Sequence, residues 1–440
     1  MRRKLTTLIV AGLAVGAVLG LAPRALGAVA AYTVQDLGTL PGDDASVAWG
    51  INKFGDVVGW SMGPTGTRAF LYTDATGMTA LPAPSGRPVT TARAINDARV
   101  VVGTASMDRT DPGHAVRWQS GRAQDLGTLP GGFSSEARGV NGFGAIAGTS
   151  ETGTGSLVGI HAFRHTDAAG MVDLTPSIDN AHAEGINDSG QITGWRNGRA
   201  FRLTGGTFVD LGLPIGYAAS FGYAINAAGQ VAGHVISGSG NSEQIFRFTA
   251  GAMVLLGGLG EFNRAWAING AGDVVGEGLP VLGLKQGFLY TDAHGMQGLN
   301  QLIDPNSGWF ILGATGINDA GQIVGWASGP AGQRAVRLTP GAAVTPTPPA
   351  APAGLAAQAL SGARIRLTWT DASANEQGFR VERASGTAGS FAGIGTVGAN
   401  VTTFTDTTAK ASKLYRYRVQ AFNAAGSSAW SNTVSVRARR

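Results

Sequence analysis

Short runs of alternating apolar and polar residues recur along the chain between glycine-rich breaks. That period-of-two pattern predicts half-buried β-strands joined by tight turns. The strongest form of it is a motif, A-x-G-I-N-x-x-G-x-V-x-G, found seven times: Ala48–Gly59, Ala92–Gly103, Ala137–Gly148, Ala183–Gly194, Gly222–Gly233, Ala265–Gly276 and Ala314–Gly325. Its asparagines, Asn52, Asn96, Asn141, Asn187, Asn226, Asn269 and Asn318, stand 44, 45, 46, 39, 43 and 49 residues apart. The N-x-x-G step predicts a hairpin turn. Asparagine bonds the backbone ahead of it, and glycine takes the positive φ that closes the hairpin. Arg99 replaces that glycine in the second copy, a local cost to the turn.

Each unit reads as four strands. The first ends at Ile-Asn and the second is the V-x-G run. The third is aromatic, as in Ala69-Phe70-Leu71-Tyr72 or His161-Ala162-Phe163-Arg164. The fourth is assigned to D-L-G-T-L-P and its relatives, as at Asp125–Pro130. Four strands per unit of this length match a propeller blade. The seventh unit stops after its third strand, at Leu338-Thr339-Pro340, and its missing strand is found at Tyr32–Leu40. The expectation is an all-β chain: a seven-bladed β-propeller over residues 31–340, closed by its N-terminal strand.

The repeat, with its H-A-F (161–163), R-A-F (68–70 and 199–201) and D-L-G-T-L-P-G segments, resembles the HAF-repeat family of bacterial extracellular proteins over residues 32–340. The resemblance implies export and a repeat scaffold, and it brings no catalytic residues.

Residues 341–352 read as a Pro-rich semi-rigid linker. The alternating strands of 353–440 resemble a fibronectin type III β-sandwich. Trp369 falls where strand B places its core tryptophan, and Tyr415 fits the tyrosine corner. At the other end, residues 1–30 read as a signal peptide. Arg2, Arg3 and Lys4 precede an apolar run, and Ala28-Val29-Ala30 offers a cleavage site. The expected location is therefore extracellular, with no integral membrane segment once the leader is cleaved.

Composition sharpens this. Of 440 residues, 69 are glycine and none is cysteine, so disulfides, a lipid anchor on cysteine and thiolate zinc are excluded. The net charge of +5 is uneven. Residues 345–440 hold 11 basic and 4 acidic side chains, the leader four basic ones, and the stretch between 18 against 24. A net-negative main region gives no support to nucleic-acid binding.

Candidate chemistry is sparse, and no catalytic residue, metal ligand or cofactor site is assigned. Gly59-Trp60-Ser61-Met62-Gly63 matches the nucleophile-elbow pattern, but that pattern requires a strand turning into a helix. His161 and His165 lack a third ligand nearby in sequence. Paired carboxylates for glycoside hydrolysis do not stand out from the repeat. Trp60, Trp195 and Trp326 each follow the second-strand glycine, where other units carry Thr104, Thr149, His234 and Glu277. A residue type that varies at a fixed scaffold position marks a decorated surface, and exposed tryptophans stack on sugars or partners. Inter-blade packing is the competing reading, and Trp49 and Trp266 are a second pair assigned to the core. The expected function is a monomeric, non-catalytic secreted or envelope protein binding a glycan or an envelope protein. The alternative is an exported polysaccharide hydrolase or lyase.

Overall fold

In a computed structural model of the chain, residues 31–153, 159–177, 180–280, 283–341, 348–373, 376–423 and 426–440 are described. The expected leader lies outside them, as does half of the linker, residues 342–347. The chain divides into two compact units, Ala30–Ala343 and one holding Val344–Arg440.

Among the described residues the first unit holds seven four-stranded antiparallel sheets; six pair neighbours in chain order, and the seventh takes its edge strand from the N-terminal segment. The third sheet is representative: Ser135–Val140, Ile146–Thr152, Gly159–Thr166 and Gly170–Asp173. The motif explains the sheet. Asn141 Oδ1 accepts the backbone N–H of Phe143 at 3.1 Å and of Ala145 at 2.9 Å. Gly144 sits at φ +81° and donates to the Asn141 carbonyl, closing the hairpin. Arg99, in the corresponding place, takes the left-handed region at φ +58°, and its guanidinium bonds Asp56 of the preceding turn at 2.8 Å. The glycine of V-x-G is a matter of space. A Cβ at Gly148 would lie 2.1 Å from the Glu136 carbonyl oxygen and 2.7 Å from the Phe163 ring.

Successive sheets pack face to face. Phe163, fully buried, meets Val102 and Ala115 of the second sheet together with Leu129 from the connector. Small Ala115, at the place in the second sheet that the alanine of H-A-F holds in the third, serves the same contact. The backbone N–H of Ala115 donates to Ser135 Oγ at 2.7 Å, and that hydroxyl donates to the Gly127 carbonyl at 2.6 Å. The turns are joined as well. Asn96 Nδ2 donates to the Asn141 carbonyl at 2.8 Å, and Asn141 Nδ2 to that of Asn187 at 3.1 Å. Asn187 reaches Asn226 at 2.9 Å, and Asn318 donates to Asn52 at 3.1 Å.

Two sequence expectations are corrected here. The strands form separate sheets, none closed on itself and each laid against its neighbours as the layers of a sandwich are, so the seven-bladed β-propeller is not retained. The repeat dictates the number of sheets and the pairing within each; it holds no information on how sheets are set against one another. The second correction concerns D-L-G-T-L-P. The fourth strand ends at the aspartate, as in Arg122–Asp125, and the rest is a connector. Asp125 Oδ1 accepts the Gly127 N–H at 2.8 Å, an Asx-turn that stops the strand. The N-terminal segment is a strand of the seventh sheet. Tyr32–Asp36 runs antiparallel to Gly332–Pro340, with Tyr32 opposite Pro340.

The second unit has Ala353–Ala359, Ile365–Thr370 and Thr403–Asp406 in one sheet. Ala392–Gly398, Gly378–Ser385 and Leu414–Asn423 form the other, with Gly426–Ser427 and Val434–Arg437 both pairing onto Leu414–Asn423. Trp369 is buried 5.5 Å from Phe379. The Tyr415 hydroxyl accepts the Lys410 N–H at 3.0 Å, and the Tyr417 hydroxyl donates to buried Asp406 at 2.7 Å.

Candidate binding face

The tryptophan position opens each second strand beyond its glycine, and across the hairpin it faces the residue just before the motif. Trp60 pairs with Val47, Trp195 with His182, and Trp326 with Gly313. All three tryptophans are half-buried. Trp195 is held most firmly. It stacks on the His182 imidazole at 3.8 Å and meets the Phe221 ring edge-on at 5.1 Å. Trp326 lies over Gly313, where a Cβ would come 2.2 Å from the indole, and the Lys285 ammonium stands 5.7 Å from its ring. No ring contact joins Trp60, Trp195 and Trp326 among the described residues.

A second row lies two residues further along each first strand, three before the motif asparagine: Trp49, Arg93, Arg138, Glu184, Tyr223, Trp266 and Thr315. The first strands approach closely. A Cβ at Gly185 would lie 3.2 Å from the Tyr223 carbonyl, and one at Gly316 the same distance from that of Trp49. The row is therefore brought together. The Arg93 guanidinium lies over the Trp49 ring at 4.0 Å. Trp49 meets Trp266 edge-on at 5.9 Å, and Trp266 meets Tyr223 at 4.9 Å. Arg138 pairs with Glu136 and stands 3.6 Å from Glu184. Trp49 and Trp266 do pair, but within a polar cluster rather than an apolar core. The signal was present in the sequence: this is the variable residue between the Ala and Gly of A-x-G-I-N.

Burial governs the charges there. It lowers Arg93 to about 10. It holds His182 down to about 4, helped by Arg138, and His234 to about 3, helped by Arg264. Tyr223 is raised to about 12, first by burial and then by Glu184. The Glu184 carboxyl is pushed up by burial, against the pull of Arg138. The Nε1 atoms of Trp49 and Trp266 are buried with no hydrogen-bond partner.

The row of tryptophan positions also borders a cavity of about 270 Å³, lined by Glu243, Phe262, Arg264, Glu277, Leu279 and Lys285. Two ion pairs frame it: Lys285 Nζ with Glu277 Oε1 at 2.6 Å, and Arg264 Nε with Glu243 Oε2 at 3.4 Å. A smaller cavity near Glu136, Glu151 and His182 occupies the equivalent place in the third sheet.

The remaining candidates are structural. Ser61 of the G-x-S-x-G segment is buried mid-strand in Val57–Gly63, accepts the Leu40 N–H at 3.0 Å and donates to the Ala45 carbonyl at 3.4 Å. Its bond with Leu40 is the counterpart of the one Ser150 makes with Leu129, and no helix follows it. His161 and His165 are both buried, and His161 bonds Asp173 at 2.7 Å. Among the described residues no cluster of three or more His, Asp or Glu is placed to hold a metal ion, and no helix is long and apolar enough to cross a membrane.

Residues 350–437 match the fibronectin type III domain model. Solved structures similar to this module include a Fn3-like protein from Clostridium thermocellum, 27% identical over 21% of this chain and 97% of that one, with a TM-score of 0.19. The FN5 domain of Drosophila Lar is 18% identical over 21% of this chain and 98% of that one, with a TM-score of 0.18. No curated protein matches the chain. A fibronectin type III module supports a binding or scaffold role at that coarse level.

Proposed function

We propose that the chain is an exported, non-catalytic protein that binds a glycan on the face carrying Trp60, Trp195 and Trp326. One observation carries the reading: a single scaffold position holds half-buried tryptophan in three sheets and borders a charged cavity in a fourth. Aromatic faces beside paired polar groups are what a sugar ring uses, since its C–H face is apolar and its rim is hydroxylated. The seven-fold HAF-type repeat and the basic–apolar sequence of residues 1–30 support export and an extracellular life. A glycan or protein ligand on this face distinguishes itself in one experiment. The full chain and a Trp60→Ala/Trp195→Ala/Trp326→Ala variant are titrated with envelope and plant polysaccharides. Binding that the folded variant loses supports the proposal; no binding to any glycan turns the face over to a protein partner.

A second reading, polysaccharide cleavage, is favoured by the two carboxylates, Glu243 and Glu277, that share one cavity. New reducing or unsaturated ends in the same titrations would select it.

A further inference from the structure

The cavity between the fifth and sixth sheets is polar in a directed way, and this inference rests on the glycan reading of that face. Its acids are buried and its bases are not. The Glu277 and Glu243 side chains are 7% and 8% exposed, whereas Lys285 and Arg264 are 50% and 48% exposed. Glu277 spends Oε1 on Lys285; its Oε2 is buried and has no hydrogen-bond partner. An orphaned carboxylate oxygen on a side chain that lines a cavity is a costly arrangement, which a ligand's donor relieves once the carboxylate turns toward it. One wall is apolar, with Phe262 at 43% exposure beside Leu279. A volume of about 270 Å³ sits just under the range for drug-sized ligands, roughly 300–1,000 Å³, and suits one small ring.

We infer that this cavity is a subsite for one acidic sugar residue of the bound glycan, a hexuronate unit. Its ring lies against Phe262. Its hydroxyls donate inward to Glu277 Oε2 and Glu243, and its carboxylate meets Arg264 and Lys285 at the mouth. Neutral sugars would satisfy the inner acceptors but leave the two bases unused. A cationic sugar would meet those bases first. Arg264 and Lys285 are each held by one ion pair and not by burial, so each can turn a remaining N–H toward an anion at the mouth.

The test uses the full chain with polygalacturonate, alginate and a neutral galactan as probes, read by calorimetry. Three variants accompany it: Lys285→Met, Arg264→Gln and Glu277→Gln, each checked by its melting curve. The expected result is that acidic polymers bind more tightly than galactan. Each base substitution should weaken the acidic polymers about tenfold, roughly the 1.4 kcal/mol of one charge-assisted contact, and leave galactan unchanged. Rising salt should weaken the acidic polymers alone. Equal binding of acidic and neutral polymers, untouched by the three variants, overturns the subsite while glycan binding stands. Binding of none of the polymers overturns both.

Discussion

The hydroxyl of Ser46 accepts the backbone N–H of Ala335 at 2.8 Å, across 289 residues of sequence. Ser46 belongs to the first sheet and Ala335 to the seventh, and the same hydroxyl donates to the Gly38 carbonyl at 2.5 Å. The relation repeats between Ser135 and Ala115, and between Ser220 and Ala200, so one fully buried hydroxyl is a unit of sheet-to-sheet attachment. Replacing Ser46 by alanine strands a buried N–H and should cost about 1–3 kcal/mol. A melting temperature lowered by several degrees in scanning calorimetry is the expected outcome, and no change would deny the hydroxyl that role.

The N-terminal strand covers the edge of Gly332–Pro340, and the Tyr32 N–H also reaches the Leu302 carbonyl at 2.9 Å. A chain lacking residues 31–40 loses that strand and buried Leu37 and Leu40. The exposed edge then becomes a template for pairing with other chains. The prediction is a sharply lower melting temperature and concentration-dependent association by light scattering. A monomer with the parent melting curve would refute it.

Arg99 offers a cleaner balance. Its left-handed φ costs about 1–2 kcal/mol, and its bond from an exposed guanidinium to buried Asp56, weakened by solvent on the arginine side, offsets part of that. Arg99→Gly should therefore leave stability unchanged or raise it slightly. The gain should grow in high salt, where the ion pair is screened while the backbone cost remains. Denaturant titration at low and high salt reads the difference.

His182 and His234 are held neutral in the folded chain, at about 4 and about 3, against an ordinary value of 6.5. Their lowered values mean that the unfolded chain binds protons first as the pH falls. The stability they contribute is whole above pH 6.5 and is lost progressively below it, toward pH 4 and 3. Glu184, whose pKa is raised, works the other way in the acid range. Melting temperature measured from pH 7.5 to 4 should fall more steeply for the parent than for His234→Gln. Parallel curves would count against the burial of a neutral imidazole.

In the fibronectin type III module, Trp369→Ala removes a buried indole packed on Phe379. The expected loss is about 3–5 kcal/mol for that module, seen as an earlier transition assigned by near-ultraviolet circular dichroism. Glycan binding by the repeat unit should persist in the same sample.

Much of this was legible in the sequence because particular residues do one job each time they recur. Asn141 and Gly144 set a hairpin, Gly148 leaves room for Phe163, and Trp369 with Tyr415 marks the sandwich. What failed did so for physical reasons. Leu129 has the alternation of a strand residue, but the bond from Gly127 to Asp125 diverts the chain into a connector first. The relation between sheets depends on Ser135 and Ala115, two unremarkable residues whose pairing is invisible until both are placed. The polar row of Arg93, Arg138 and Glu184 is hidden in the sequence because a strand residue two positions from a buried one is ordinarily assigned to the core. Only the close approach of first strands, as at Gly185 and Tyr223, turns a variable motif position into a cluster.

The pairing of Tyr32 with Pro340 also sets a clock. At about 5–20 residues per second, a ribosome needs roughly 15–60 s to pass from one to the other. Throughout that interval the N-terminal strand is already made and has no partner. The repeat unit therefore cannot complete itself while it is being synthesised, and its last sheet is assembled from the two ends of the unit only after both exist.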